Sequence, residues 1–355
     1  MRAPEYVPWS KDTLNRSIAG QKAGRMPALD LELSAFCTGS CIYCDSKPEV
    51  KSNPDCQKGE TSADDIIKLL DDSQPLGLEW VYTCGLGEPL EDPKFWNVLH
   101  HMSSLGMKLS MFTDGVPIKD VQTARELKDN GAHMILKMDT FDEANFDKIL
   151  GIPGRAQEVY RARDLLLEAG YAGGSEDGRT DLAFSIVPTR LSIDGISGVI
   201  GYCKKRNIFA SIGELEQAGN VINNKNLLPE LGLTDEEIAK LKREADEYVG
   251  GDYKRPTCPS ILTGVHVDNR GNVIVDKSTG LNCKWFTLSE PDVAVIGNIG
   301  QEPIDVLLDR ANAYRTNAFR NNRAGIAALS GLSYELGGCG GNPCSIIKLA
   351  EDIYK

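Results

Sequence analysis

Three cysteines fall within eight positions of the stretch LSAFCTGSCIYCDS: Cys37, Cys41 and Cys44, in C-x3-C-x2-C spacing. Structural zinc takes four ligands, usually from paired knuckles, and catalytic zinc usually includes histidine. The four histidines, His100, His101, His133 and His266, lie far along the chain. Three thiolates without a fourth local partner fit instead a 4Fe-4S cluster ligated at three irons, its last iron left for another molecule. Cys258, Cys283, Cys339 and Cys344 form a second group, able to hold a fully ligated cluster or a zinc ion, and Cys56, Cys84 and Cys203 stand apart. Clustering of this kind favours metal ligation over disulfides.

The elements that must position these residues follow a regular pattern. Residues 28–35, ALDLELSA, alternate apolar and acidic side chains at period two, as a half-buried strand does. The cysteine loop comes next, then a helix from Thr61 with a capping residue at its start. Strands are expected at 79–84, 107–112, 133–138, 181–187 and 207–213, and helices at 93–105, 119–130, 156–169 and 194–206. Six strand–helix units in succession predict an α/β fold, a parallel sheet curling into a partial (β/α)6 TIM-like barrel over residues 29–219 behind an N-terminal extension, 1–28. Active sites of such barrels sit at the strands' C-terminal ends, where the cysteine loop falls.

Beyond Gly219 the pattern changes. TDEEIAKLKREADEYV, within a helical linker spanning 220–256, opens with a capping box at Thr234 and Glu237. A small C-terminal α+β domain, 257–355, is expected to contain a hairpin at GVHVDNRGNVIV, 264–275, and a helical stretch led by IGNIGQEPIDVLL. Of 355 residues, 41% are apolar and 25% charged, the balance of a chain that buries a core. The net charge of -12 disfavours nucleic acid and suits cationic or neutral partners. No apolar run approaches the roughly 20 residues of a bilayer span, and the N-terminus lacks a signal-peptide core, so a cytoplasmic protein is expected. GGSEDGRTD, 173–181, is a Gly-rich turn and not a phosphate loop, since no GK[ST] helix follows.

CTGSCIYC resembles the signature of radical S-adenosylmethionine (radical SAM) enzymes, with Tyr43 at the usual aromatic position before the third cysteine. The resemblance implies that SAM's amino and carboxylate groups occupy the open iron, which is why three thiolates suffice. GLGEP, 85–89, is similar to the family's GGEP turn and implies that Gly85, Gly87, Glu88 and Pro89 hold the methionyl amine, with Leu86 where many members have glycine. TDG, 113–115, and KMD, 137–139, end the third and fourth strands, where the resemblance implies contacts to SAM from Thr113, Lys137 and Asp139; Ser185 is a further candidate for a ribose or carboxylate contact.

The order of Cys258, Cys283, Cys339 and Cys344 around the hairpin resembles the twitch domain, the shortened relative of SPASM, which holds one auxiliary 4Fe-4S cluster on four cysteines. The loop between Cys283 and Cys339 is longer than in minimal twitch domains, and a structural zinc stays open for these four residues. The resemblance implies reductive cleavage of SAM to a 5'-deoxyadenosyl radical that removes hydrogen from an unactivated carbon, with flavodoxin or ferredoxin as electron donor. The expected substrate is a polar carbohydrate-like metabolite, an aminoglycoside or aminocyclitol, oxidised or epimerised while the auxiliary cluster transfers an electron. Cys84, ending the second strand, is a candidate hydrogen donor for epimerisation. Glu214 and Glu216, after the sixth strand, are candidates to bind amines or hydroxyls or to act as a base. The alternative is a maturase of a ribosomally made peptide; against it, about 28 residues precede the expected barrel, too few for a leader-binding domain of roughly eighty.

Overall fold

Apolar strands alternating with amphipathic helices dictate a parallel sheet with helices outside it. The computed structural model describes residues 5–44, 54–83, 87–172, 178–213, 215, 221, 231–249, 265–276 and 293–321. Cys84, Gly85, Glu214, Glu216, Cys258, Cys283, Cys339 and Cys344 lie outside the described residues. From the N-terminus come strand β1 (Glu5–Tyr6), helix α1 (Lys11–Lys22), β2 (Ala28–Leu31), α2 (Ala63–Ser73), β3 (Trp80–Thr83) and α3 (Phe95–Ser104). Then follow β4 (Lys108–Thr113), α4 (Val121–Asp129), β5 (Ala132–Lys137), α5 (Glu143–Leu150), α6 (Arg155–Glu168), β6 (Arg179–Thr180), β7 (Leu182–Ile186), α7 (Ile193–Arg206) and β8 (Phe209–Ile212).

β2, β3, β4, β5, β7 and β8 pair parallel in that order, the six strands expected from the sequence. Their outward residues, such as Leu29, Val81, Met111, Leu136 and Phe184, pack beneath the helices. Their inward residues meet in a second core of Ala28, Trp80, Tyr82, Ile135, Ala183 and Phe209. Because that core joins the first strand of the run to the last, the sheet curls around it, as a partial barrel requires. Local chemistry starts three crossover helices: Ser62 Oγ accepts from Asp65 N at the head of α2, Asp120 from Thr123 N at α4 and Asp142 from Asn145 N at α5. The cap of α2 is thus Ser62, and the Thr61 amide before it donates to the Asn269 carbonyl at 2.8 Å.

Two features depart from the expectation. The N-terminal segment is not a mere extension: Tyr6 and Trp9 are buried in the inner core, Tyr6 meets Ser110 Oγ at 3.1 Å, and Tyr82 donates to the Pro8 carbonyl at 2.9 Å. It plugs the end of the lumen lined by the strands' first residues and leaves the C-terminal end as the mouth. Nor is β2 half-buried, since Asp30 and Glu32 are 5% and 7% exposed. Their face of the strand, shared with Ala28, points into the lumen and not into water.

The C-terminal hairpin lies beside the cysteine loop. β9 (Val265–Val267) runs parallel along the outer edge of β2, with β10 (Asn272–Asp276) antiparallel to it and β11 (Val293–Asn298) antiparallel to β10. The Asp268 carboxylate closes the hairpin turn by accepting from the amides of Arg270 and Asn272. Helix α8 (Asp235–Val249) packs on α7 and β8, and α9 (Ile304–Asn321) on α2 and β11. Among the described residues no helix is long and apolar enough to cross a membrane.

The start of α8 carries the expected reciprocal cap, Glu237 N to Thr234 Oγ1 and Thr234 N to the Glu237 carboxylate, with Arg190 paired on the same carboxylate. Arg190 and the Thr234 donors hold the Glu237 carboxyl down at about 2. A depressed acid contributes stability above its unfolded value of about 4.3 and loses it as the pH falls further. The protection factor against hydrogen exchange in the first turn of α8 should therefore fall as pH drops from about 4.3 toward the depressed value. Glu237→Gln should flatten that step; the effect is small because water screens an exposed pair.

Candidate functional site

The cysteine loop leaves β2 at the mouth of the barrel and is held from several sides. The Glu60 carboxylate accepts from Ser34 Oγ at 3.0 Å and from the Ala35 amide at 2.9 Å, fixing the loop's start. The Ile42 amide donates to the Ile149 carbonyl at 2.9 Å, tying its far side to the end of α5. Within the loop, the Gly39 amide donates to Cys37 Sγ at 3.2 Å. Cys37, Cys41 and Cys44 are partly exposed and none is in a disulfide, whereas Cys203 is buried in the helix-facing core.

Across the mouth, the turn after β3 presses against the loop's backbone. The Glu88 amide donates to the Phe36 carbonyl at 2.9 Å. A Cβ on Gly87 would lie 2.3 Å from the Phe36 oxygen and 2.6 Å from that of Ser34, so only glycine allows this approach. The Glu88 carboxylate is 4% exposed and accepts from Thr113 Oγ1 at 2.6 Å, the Asp114 amide at 2.9 Å and the Leu90 amide at 3.2 Å. Burial pushes its proton affinity well above the usual carboxylate range, with Asp114 adding and the donors opposing. A cationic group arriving here would relieve that penalty. Thr113 acts on Glu88 through its hydroxyl and also receives the Gly115 amide at 2.8 Å. Gly87→Ala should lower the iron retained after anaerobic reconstitution severalfold while circular dichroism stays unchanged; full iron loading would show that the loop absorbs the clash.

Tyr43, Lys137 and Asp139 meet at the end of β5. Asp139 is fully buried and accepts from the Tyr43 hydroxyl, from Lys137 Nζ at 2.9 Å and from the Val187 amide at 2.8 Å. Lys137 Nζ also donates to the Tyr43 oxygen and lies 4.3 Å from the centre of its ring. Burial and the negative Asp139 hold the Tyr43 phenol strongly protonated, consistent with its donating to the carboxylate. Burial alone would lower the Lys137 ammonium, but Asp139, with the Cys41 and Cys44 thiolates adding, carries it above its ordinary value. Ser185 is level with Lys137 on the adjacent strand β7.

Several residues bracing this site escaped the sequence reading. Glu91 accepts from the amide of Thr38 at 2.6 Å and from its hydroxyl. Arg155, at the head of α6, donates to Thr38 Oγ1 at 3.0 Å and to the Asp114 carboxylate at 2.8 Å. Gly151 has φ +72, and a Cβ there would sit 2.1 Å from the Ser40 carbonyl oxygen. The Lys94 ammonium pairs with Glu60 at 3.1 Å, and Asn269 Nδ2 of the hairpin turn donates to the same carboxylate at 3.1 Å. Their only sequence signal was position: Glu91 sits two residues after the GLGEP turn, and GIPG precedes Arg155.

The donor set fits an iron–sulfur cluster. A lone tetrahedral ion needs ligands within about 2.3 Å of one centre. Among the described residues no three His, Cys, Asp or Glu side chains converge in that way. In a 4Fe-4S cluster each thiolate takes its own iron, so the cysteines need only surround it. The Gly39 amide on Cys37 and the Lys137 charge beside Cys41 and Cys44 are features that stabilise thiolates.

Comparison with known proteins bears on the same segment. Residues 31–178 match the sequence profile of the Radical SAM superfamily. The chain is 27% identical over 128 residues to the tungsten-containing aldehyde ferredoxin oxidoreductase cofactor-modifying protein of Pyrococcus furiosus, covering 36% of this chain and 34% of that protein. It is 23% identical over 235 residues to a probable GTP 3',8-cyclase of Methanococcus aeolicus, 65% of this chain and 70% of the other. The chain therefore spans about a third of the first relative, at 34%, and most of the second, at 70%. Among solved structures, Streptococcus suis SuiB superposes with a TM-score of 0.57 at 15% identity, over 84% of this chain and 69% of that one. SuiB bound to its precursor peptide SuiA gives 0.54 at 16% identity, over 84% and 68%. The profile match spans residues 31–178, which carry the cysteine loop and the Glu88 turn, and the fold is one that SuiB shares.

Proposed function

We propose that this chain is a radical SAM enzyme that removes hydrogen from an unactivated carbon of a polar, amine-bearing, carbohydrate-like metabolite, leading to oxidation or epimerisation. One observation carries the reading: the Cys37–Cys44 loop is locked at the barrel mouth against the Gly87–Glu88 turn and the Tyr43–Lys137–Asp139 triad. Cys37, Cys41 and Cys44 would hold a 4Fe-4S cluster, which supplies one-electron reduction of SAM and so a means of attacking an unactivated C–H bond.

The chain's own residues bind, orient and exclude water. Glu88, with Gly85, Gly87 and Pro89 shaping the turn, takes the methionyl ammonium. Tyr43, Lys137, Asp139, Thr113 and Ser185 would contact or position the remainder of SAM. The buried ring of polar groups keeps solvent from the reacting carbon. Cys258, Cys283, Cys339 and Cys344 are proposed to hold an auxiliary 4Fe-4S cluster of twitch type that takes an electron from the substrate. Cys84 is proposed as the hydrogen donor if the outcome is epimerisation, and Glu214 and Glu216 as binders of substrate amines or hydroxyls. Flavodoxin or ferredoxin would supply the electron.

The acidic lumen face of β2 supports a substrate rich in hydrogen-bond donors. A second reading, modification of a ribosomally made peptide, is supported by the likeness to SuiB, whose structure is known with its precursor peptide SuiA. A panel of perdeuterated aminocyclitols and amino sugars tests the first reading. Deuterium should appear in 5'-deoxyadenosine with a member of the panel; background release with all of them, and stimulation by a peptide instead, would favour the second.

A further inference from the structure

β2 and the residue that follows it place two carboxylates inside the barrel. Asp30 and Glu32 are two residues apart on the inward face, and the imidazole of His266, on β9, stands level with Asp30. His266 Nδ1 lies 2.9 Å from Asp30 Oδ2, and Nε2 lies 3.8 Å from Glu32 Oε1. The three side chains are 7%, 8% and 9% exposed in the order Asp30, Glu32, His266. The other oxygen of Asp30, Oδ1, is buried and has no hydrogen-bond partner among the described residues.

A buried carboxylate oxygen without a donor is costly, and native structures keep very few. Sheet packing does not require this one: an apolar residue at position 30 would continue the inner core of Ala28 and Tyr82. The cluster's position is equally specific. Asp30 is level with Tyr82, whose hydroxyl rests on the N-terminal plug, and Glu32 is two residues before Ser34, where the cysteine loop is gripped. The carboxylates therefore lie between the plug and the loop, along the wall of the lumen.

We propose that Asp30 and Glu32, held by His266, form the anchoring station for a protonated amine of the substrate, with Asp30 Oδ1 accepting one of its N–H bonds. An ammonium group carries three donors and a full charge, matching the orphan carboxylate oxygen of Asp30 and the carboxylate beside it. A hydroxyl offers one donor and no charge. The assignment rests on the amine-bearing substrate class proposed above.

Two ring probes that differ at a single group test it: trans-2-aminocyclohexanol and trans-cyclohexane-1,2-diol, each titrated calorimetrically into the reconstituted holoenzyme. The amine should bind about tenfold or more tightly than the diol, the worth of one charge-assisted hydrogen bond. In Asp30→Asn, and separately in Glu32→Gln, the ratio should fall toward one. Because the readout is a ratio, a general loss of affinity does not imitate it, and the wild-type comparison needs no variant. Equal binding of the two probes by wild type, or a preference retained in both variants, overturns the proposal. Failure of the radical SAM reading is separately visible as absence of 5'-deoxyadenosine from SAM.

Discussion

Replacing Cys37, Cys41 and Cys44 together with alanine is expected to bring release of 5'-deoxyadenosine from SAM down to the protein-free background. Each thiolate would hold one iron of the cluster, and alanine at all three positions leaves the described part of the loop without a thiol. The loop itself should keep its path, since Glu60, Glu91 and the Ile149 carbonyl grip its backbone and Thr38, not its sulfurs. The same variant reads out the auxiliary site. With a second cluster on Cys258, Cys283, Cys339 and Cys344, iron falls from roughly eight to about four per chain. With zinc there, it falls from about four to none. Retained SAM cleavage would remove these cysteines from the chemistry.

The second large effect is expected at Arg155. Its side chain is 8% exposed and is surrounded by Asp114 at 10%, Glu91 at 13% and the more open Glu158. Truncation to alanine leaves Asp114 and Glu91 buried without their cation, and breaking a buried pair in this way costs about 3–5 kcal/mol. The loss does not stay local. Asp114 presents its amide to Glu88, and Glu91 holds Thr38 between the first two cysteines of the loop. Arg155→Ala should therefore lower both the denaturation midpoint and the iron content. Arg155→Lys should recover part of the stability but little of the iron loading, because a single ammonium cannot keep the Nη2 contacts to Thr38 and Asp114 together with the Nη1 contact to Glu158. Unchanged iron loading in the alanine variant would limit Arg155 to a structural role.

What the sequence disclosed and what it concealed divide by distance along the chain. The C-x3-C-x2-C spacing, the capping box at Thr234 and the hairpin around Asp268–Asn272 are local patterns, each written in residues a few positions apart. The strands of the parallel sheet were legible because burial on both faces leaves unbroken apolar runs such as WVYT. Arg155 was not, since its partners Thr38 and Asp114 lie 117 and 41 positions away and no local period marks them. α5 was missed because its eight residues fit two turns between longer elements. The acidic face of β2 was misjudged on physical grounds. Alternation distinguishes two faces of a strand but cannot say whether the polar one meets water or a polar lumen, and here His266, arriving from position 266, covers it.

The Glu88 turn shows the same division. GLGEP was visible as a motif, but the reason for its glycine emerged only when Gly87 was found against the carbonyls of Ser34 and Phe36. The cysteine loop and the turn thus fix one another, and the candidate site is a property of their contact.

Reductive cleavage of SAM by the wild-type protein tests the central claim most directly. The protein is reconstituted with iron and sulfide under anaerobic conditions, incubated with SAM with and without a strong reductant, and assayed for methionine and 5'-deoxyadenosine. The account predicts that both appear, in equal amounts, and only when the reductant is present. Reconstituted protein that releases neither, or releases them equally without reductant, contradicts it.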